Sequence, residues 1–286
     1  MLKSELAVSE ISGKRYRIDQ QVRSAASGKV GHKQEFVLCH ETRQPIAQAE
    51  AEHCEVTDKP VRPGVLETCE VTGQRVLPSE LERCVAELGF KGAMIHGLAH
   101  GRFVDDKQFW PIYARAEVLD VPIYLHPSLP HPGVTEAYYA DYAQQFPMVV
   151  RPAWGYTVET ATTAIRLVLS GVFEAHPRLK IILGHLGETL PFLVWRIDQA
   201  LARPGQKSLS FRDIFCNNFY ITTSGNFSNP ALLCCIMEMG IDRILFAVDW
   251  PFVENALATR WLEAAPICEE DKVKVLSGNA RRLLRM

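Results

Sequence analysis

Three short apolar runs in the second half of the chain each lead into a residue able to hold a metal or a proton. Residues 122–125 (Pro-Ile-Tyr-Leu) lead into His126, residues 181–184 (Ile-Ile-Leu-Gly) into His185, and residues 244–248 (Ile-Leu-Phe-Ala-Val) into Asp249. Runs this short, rich in Ile, Leu and Val, read as parallel strands buried on both faces. In a (β/α) barrel the residue just past a strand's C-terminal end projects into the face that carries the site. Two imidazoles and a carboxylate meeting there suit a divalent metal, with Zn or Mn expected. An acid directly after Leu-Phe-Ala-Val is costly unless paired or coordinated, so Asp249 is the firmest of the three.

Around these runs the chain alternates strands with helices from about Arg83 onward. Residues 92–97 read as a strand and 109–119 as a helix. The segment 158–173, with Ala161, Ile165, Leu169 and Val172 at helical spacing, reads as an amphipathic helix. Residues 190–201 read as a helix with apolar and basic faces, and 219–225 and 244–248 as the last two strands. This alternation indicates a parallel sheet or barrel. Five barrel-type strands are legible, whereas a closed TIM barrel needs eight. The expected fold class is therefore α/β, a partial TIM (β/α) barrel over residues 85–286.

The first 84 residues follow a different rule. Cys39, Cys54, Cys69 and Cys84 are spaced at fifteen, and Ser24 and Ser9 continue the register backwards. The fourth position of each unit is Ser or Thr (Ser12, Ser27, Thr42, Thr57, Thr72), and the fifth is often Gly (Gly13, Gly28, Gly73), with Arg43 or Asp58 elsewhere. Such pairs between extended residues require a turn with positive φ, hence short hairpins. Pro63 and Pro78 are each placed to open one helical turn. A fixed period implies stacked small units, none of which buries its own face alone. The cysteines, together with His40 or His53, are candidate zinc ligands, but structural zinc sites use closely paired thiols. The expectation is that each Cys is a small buried residue at an equivalent position.

Composition narrows the partners. The chain has 286 residues, 47% hydrophobic and 22% charged, with a formal net charge of −2, enough for a large core and without a basic excess to attract nucleic acid. No apolar stretch approaches the ~20 residues of a membrane span. The first residues lack the apolar core of a secretory signal, and eight cysteines in a long chain read as reduced thiols, so the expected location is cytoplasmic. Homo-oligomer formation is left open.

Residues from about 80 to 286 resemble the amidohydrolase superfamily, in particular its metal-dependent aromatic acid decarboxylases, the γ-resorcylate decarboxylase group. The resemblance lies in 124–127 (Tyr-Leu-His-Pro), 181–188 (Ile-Ile-Leu-Gly-His-Leu-Gly-Glu) with Leu190 and Pro191, and 195–198 (Trp-Arg-Ile-Asp). It continues in 221–225 (Ile-Thr-Thr-Ser-Gly), 243–252 (Arg-Ile-Leu-Phe-Ala-Val-Asp-Trp-Pro-Phe) and 279–283 (Asn-Ala-Arg-Arg-Leu). It implies His126 and Asp249 as metal ligands, His185 beside metal and substrate, and Glu188 as the polar partner of His185. Asp249, His185 and Glu188 are then the catalytic candidates. His96, Trp154 and Arg196 are the candidates for substrate contact.

The family's first strand ends in Glu-x-His or His-x-His, supplying further ligands. No such signature precedes residue 90, and the chain reads as barrel units four to eight joined to an unrelated repeat. His96 and His100 are the nearest alternative donors. The implied activity is lyase chemistry, non-oxidative decarboxylation of a hydroxylated aromatic acid, with a small aromatic carboxylate as partner. The aromatic content around Trp154, Trp195 and Trp250 favours it, since flat rings suit such a pocket. A metal-dependent hydrolase of a lactone or amide is the second reading. An inactive barrel remnant serving as an interaction scaffold is the third, supported by the missing ligand pair.

Overall fold

The computed structural model describes residues 6–54, 58–68, 75–76, 79–99, 101–203 and 209–286. His100, Thr57, Cys69, Thr72, Gly73 and Pro78 lie outside the described residues. The chain divides into two compact units, Met1–Glu80 and Leu81–Met286. The division falls at Glu80 rather than at residue 84. The reason is a helix, Ser79–Ala86, that runs through the junction and brings Leu81 and Val85 onto the core of the second unit.

In the first unit the fifteen-residue period appears as a file of antiparallel hairpins. Leu6–Val8 pairs with Arg15–Arg17, Gln21–Arg23 with Val30–His32, Phe36–Leu38 with Pro45–Ala47, and Glu52–His53 with Pro60–Val61. Each loop closes in the same way. The N–H of Ser9, Ser24, Cys39 and Cys54 donates five residues on, and Gly13, Gly28, Arg43 and Asp58 donate back to the same four residues. Those last four take positive φ of 72°, 77°, 56° and 55°. Glycine meets that need without steric cost, and Arg43 and Asp58 adopt it in the same frame of hydrogen bonds. Pro63 opens no helical turn; it is followed by a turn in which Gly64 has φ 80°.

Successive hairpins are stitched by one repeated bond: the N–H groups of Glu10, Ala25 and His40 donate to the carbonyls of Val30, Pro45 and Pro60. Below it lies a side-chain ladder. Ser9 Oγ donates to Glu35 Oε2 at 2.7 Å and Ser24 Oγ to Glu50 Oε2 at 2.8 Å, both 26 residues apart. Hydrogen bonds from Ser12 and Ser9 hold the Glu35 carboxyl below its ordinary value, and Ser27 and Ser24 do the same for Glu50. At the next step Cys39 stands where the serines stood and Val65 where the glutamates stood, and the pair joins an apolar cluster with Ile46, Cys54, Val61 and Leu66. Cys39 and Cys54 are fully buried free thiols. A polar pair is thus exchanged for an apolar one at the same place, which keeps every buried group satisfied.

The second unit is built on one five-stranded parallel sheet whose order follows the sequence: β1 (Ala93–His96), β2 (Ile123–His126), β3 (Ile181–Leu183), β4 (Phe219–Thr222) and β5 (Ile244–Leu245). Alternate residues serve opposite faces. Ile123, Leu125, Ile181, Leu183, Phe219, Ile221 and Ile244 are fully buried against the helices. On the other face Ile182 and Leu245 pack with Leu283, Tyr124 and Tyr220, while Met94 in register with Tyr124 is 49% exposed.

The helix expected over 158–173 runs Gly155–Ser170 and stops at Gly171, whose φ of 87° ends it before Val172–Ala175 resumes. Strand β5 is shorter than its apolar run. Its ladder passes to the Thr223 side chain, which donates to Ala247 O at 2.8 Å and accepts from Ala247 N at 3.0 Å. Asn218 and Asn279 each clamp two carbonyls ahead of a strand, at Pro177 and Leu179 and at Ile241 and Ile244. No described helix is long and apolar enough to cross a membrane.

Candidate active site

The C-terminal edge of the sheet gathers His96, His126, His185, Glu188 and Asp249. His96 and His126 close β1 and β2 in register, with ring centroids 4.7 Å apart at 61°. Both Nδ1 atoms lie at hydrogen-bond distance from one acceptor, the Pro127 carbonyl, at 3.0 and 2.9 Å. A carbonyl only accepts, so each Nδ1 carries a proton, and in the neutral imidazole of His126 the lone pair is then on Nε2. Burial, with the neighbouring His96 and His185, pushes the His126 imidazole below its ordinary value despite opposing pulls from the Pro127 carbonyl and Asp249. A neutral imidazole with its Nε2 lone pair exposed at a strand end is a metal donor.

His185 stands two residues past β3 at the start of a left-handed turn. His185, Leu186, Gly187, Glu188 and Thr189 all have positive φ, 52°, 55°, 77°, 53° and 68°. Four of these are not glycine, and each such residue costs about 1–2 kcal/mol. The surroundings impose the shape: Leu186 N donates to Thr222 O at 2.8 Å, His185 N to Ser224 Oγ at 3.3 Å, and Asn226 Nδ2 to His185 O at 3.3 Å. The turn sets Glu188 Oε1 2.5 Å from His185 Nδ1 and leaves Glu188 fully enclosed, its Oε2 unpartnered. His185 Nε2 faces Asp249 Oδ2 at 3.8 Å. Burial works against the imidazolium of His185, but Glu188 and Asp249 outweigh it and hold the group above its ordinary value.

Asp249 itself has φ 77°, and Gly225 lies against it. A Cβ on Gly225 would sit 3.0 Å from Asp249 Oδ2 and 3.2 Å from His185 Cδ2, so only glycine leaves this floor open. Beneath the floor Tyr124, Thr222 and Ser224 form a hydroxyl cluster, with Thr222 Oγ1 2.7 Å from Ser224 Oγ and 3.2 Å from Tyr124 Oη. Burial raises the Tyr124 phenol above its ordinary value, keeping it a neutral hydrogen-bonding group. These hydroxyls and Asn226 have no role in the sequence reading. Tyr124 could have been found from its position two residues before His126, on the same face of β2.

The candidates for substrate contact are placed differently. His96 joins the cluster through His126. Trp154 caps the Gly155–Ser170 helix and Arg196 stands on the Leu190–Leu201 helix, both exposed. Among the described residues neither shares a hydrogen bond or ring contact with His126, His185 or Asp249. The donor types suit a divalent ion, two imidazoles and a carboxylate around a floor kept free by Gly225. The donor number is short: among the described residues no group of three His, Cys, Asp or Glu is arranged to hold an ion.

The amidohydrolase family model (Amidohydro_2) matches residues 62–286. The chain is 44% identical over 215 residues to γ-resorcylate decarboxylase of Rhizobium radiobacter, covering 71% of this chain and 64% of that protein. It is 40% identical to the γ-resorcylate decarboxylase of Polaromonas sp. (strain JS666), again over 71% of this chain and 64% of the relative. Among solved structures, 2,6-dihydroxybenzoate decarboxylase complexed with 2,6-dihydroxybenzoate matches with a TM-score of 0.66 at 43% identity, over 73% of this chain and 66% of that one. The dihydroxybenzoic acid decarboxylase of Polaromonas sp. JS666, with bound manganese and the inhibitor 2-nitroresorcinol, matches with a TM-score of 0.67 at 42% identity, over 73% and 64%. The chain thus spans a little under two thirds of the length of these relatives.

Proposed function

Because the chain belongs to the amidohydrolase family, we propose that it carries the catalytic edge of a metal-dependent decarboxylase acting on a hydroxylated aromatic carboxylic acid. In this reading its five strands are units four to eight of a (β/α) barrel. The observation that carries it is the His185–Asp249 pair, 3.8 Å apart beside His126, on a chain 40–44% identical to γ-resorcylate decarboxylases.

His126 and Asp249 would contribute two ligands to a divalent ion such as Mn²⁺. A bound ion would supply positive charge against the substrate carboxylate and its neighbouring phenolic oxygen. Direct loss of CO₂ from the ring would leave an aryl carbanion. Delivering a proton first to the carbon that bears the carboxylate lets the C–C electrons return to the ring on cleavage. Asp249 stands where that proton can be held and delivered. His185, whose imidazolium Glu188 and Asp249 favour against its burial, faces the same space, where positive charge would offset negative charge on the substrate's oxygens. The left-handed turn fixes His185 against Glu188, and Gly225 keeps the floor low enough for a planar ring.

The test is CO₂ release from 2,6-dihydroxybenzoate with Mn²⁺ added, set beside a lactone panel and an Asp249→Asn variant. Turnover of the benzoate that Asp249→Asn abolishes supports the lyase. Ring opening of lactones favours a hydrolase instead. Neither activity at any metal concentration favours the scaffold reading, which the absence of a three-donor group among the described residues supports.

A further inference from the structure

The fifteen-residue repeat supplies its own control, because a residue that one unit has and the others lack is not required by the hairpin. Arg15 stands where Val30, Pro45 and Pro60 stand in the next three units, and Arg17 where His32, Ala47 and Arg62 stand. Charge follows the same break. Residues 14–33 hold six Lys or Arg and one Asp, whereas residues 34–58 hold one Arg and six Asp or Glu. The net charge of −2 therefore conceals a cationic end of the repeat. That end encloses a cavity of about 360 Å³ at the first two hairpins, walled by Lys14, Arg15 and Arg17 together with Gln20, His32 and Gln34. Among the described residues Lys14 and Arg15 have no ion-pair partner, and Arg17 pairs with the exposed Asp19 at 3.1 Å. The carboxylate in the wall, Glu35, is already engaged inside the repeat: its Oε2 accepts from Ser9 Oγ and from His32 N, each at 2.7 Å.

We propose that this cavity binds a sugar phosphate, with the phosphate against Lys14, Arg15 and Arg17 and the sugar hydroxyls against the two glutamine amides. A guanidinium presents its N–H donors in a fork that matches phosphate oxygens, and two of them with an ammonium offset the charge of a phosphomonoester. The neutral donors are set by His32. Its Nδ1 accepts from Gln34 N at 3.3 Å, so Nε2 carries the proton and donates to Gln20 Oε1. Gln20 then keeps its NH₂ group, and Gln34 its whole side-chain amide, for a ligand that bears hydroxyls. A nucleobase finds no open platform to stack on: Tyr16 is 6% exposed and meets His32 edge-on, with ring centroids 6.1 Å apart at 70°. Size agrees, since cavities of about 300 Å³ and above hold small organic ligands, and a bare phosphate would leave most of this one to water. The site lies within residues 9–35 and does not depend on the proposed reaction.

The experiment is isothermal titration of the full, metal-free chain with ribose 5-phosphate, ribose, inorganic phosphate and a short single-stranded oligonucleotide. Arg15→Gln, Lys14→Gln and Arg62→Gln are measured alongside, the last as a control in the Arg17 position of the fourth unit. Lys14 and Arg15 are exposed, so circular dichroism and melting temperature are expected to stay at the wild-type values. The expected result is binding of ribose 5-phosphate, none of ribose, and inorganic phosphate bound about tenfold more weakly or worse. Arg15→Gln and Lys14→Gln should each weaken the sugar phosphate about tenfold, the weight of one hydrogen bond to a charged group, and Arg62→Gln should leave it unchanged. No binding of ribose 5-phosphate at millimolar concentration overturns the proposal. So does binding that Arg15→Gln and Lys14→Gln both leave intact, inorganic phosphate bound as tightly as the sugar phosphate, or an oligonucleotide bound more tightly than either.

Discussion

His185 and Glu188 are joined at 2.5 Å across a turn whose five residues all have positive φ, so the pair exists only while that left-handed turn is held. Gly187 sits at its middle with φ 77°, and a Cβ there would meet Pro191 Cδ at 2.9 Å and Ile221 Cγ2 at 3.0 Å. Gly187→Ala is therefore expected to destabilise the fold by about 1–3 kcal/mol. Glu188→Gln should leave stability closer to the wild type while lowering turnover roughly 10–100-fold, the usual cost of removing a carboxylate that orients a site histidine. Urea denaturation beside steady-state kinetics separates the two. Equal loss of stability in both variants would show that Glu188 acts through folding.

Gly225→Ala probes the floor directly. Its Cβ would press on Asp249 Oδ2 and His185 Cδ2, both flanking the space assigned to substrate. Loss of most activity is expected with native-like circular dichroism, together with weaker Mn²⁺ binding as Asp249 is displaced. Mn²⁺ binding by electron paramagnetic resonance provides the reading that activity alone cannot. Binding as in the wild type would place Asp249 outside the metal's reach.

How much of this was legible in the sequence differs element by element. The strands were, because Ile123, Leu125, Ile181–Leu183, Ile244 and Leu245 are buried and so carry apolar runs. The left-handed turn was not. Residues 185–189 hold one glycine, and their backbone is set by tertiary bonds from Thr222, Ser224 and Asn226 that no local pattern announces. The helix Asn229–Met239 was missed for another reason: apolar on both sides, it has no amphipathic period to read. Strand β5 was read too long because regular pairing stops at Leu245: the Thr223 side chain bonds both backbone groups of Ala247, and Phe246 N turns to Val275 O. The 26-residue Ser–Glu pairs become visible only once the repeat is laid out, and then Cys39 with Val65 reads as the same pair made apolar.

That substitution within the repeat can be tested. Burial alone would raise the Cys39 thiol, but the Thr42 hydroxyl and the N–H groups of Thr42, Arg62 and Glu41 outweigh it and hold it below its ordinary value. The sulfur thus takes the acceptor role that Ser9 Oγ plays for Ile11 N and Ser12 N. Cys39→Ser keeps an acceptor and should cost little. Cys39→Val removes it from a fully buried turn and should cost about 1–3 kcal/mol. Melting curves of the two variants check this, and a Val variant as stable as the Ser variant would leave apolar packing as the only role of Cys39.

Metal affinity should be low. His126 and Asp249 offer two donors, and no third His, Cys, Asp or Glu among the described residues completes a set. Structural and catalytic sites ordinarily use three or four protein ligands. Isothermal titration with Mn²⁺ is expected to give weak binding that His126→Ala abolishes. Tight binding that survives His126→Ala would mean that the ion is held elsewhere.

The last expectation concerns pH and Glu159, which lies on the Gly155–Ser170 helix at 5% exposure with Oε1 unpartnered. Burial pushes its carboxyl above the ordinary value of 4.5, against the backbone N–H and charge of His131 and the more distant Arg166. The sign follows from linkage. A raised folded-state value means that the fold disfavours the carboxylate, so the unfolded chain releases this proton first. Relative to a residue that stays neutral, stability is intact below about 4.5 and is lost as pH rises through the higher folded-state value. Glu159→Gln keeps an acceptor for the His131 N–H and carries no charge. It should match the wild type below about pH 4.5 and become the more stable of the two as pH rises to neutral. Denaturation free energies of both proteins across that range decide the matter. A difference that does not change with pH would mean that Glu159 keeps the same protonation state throughout.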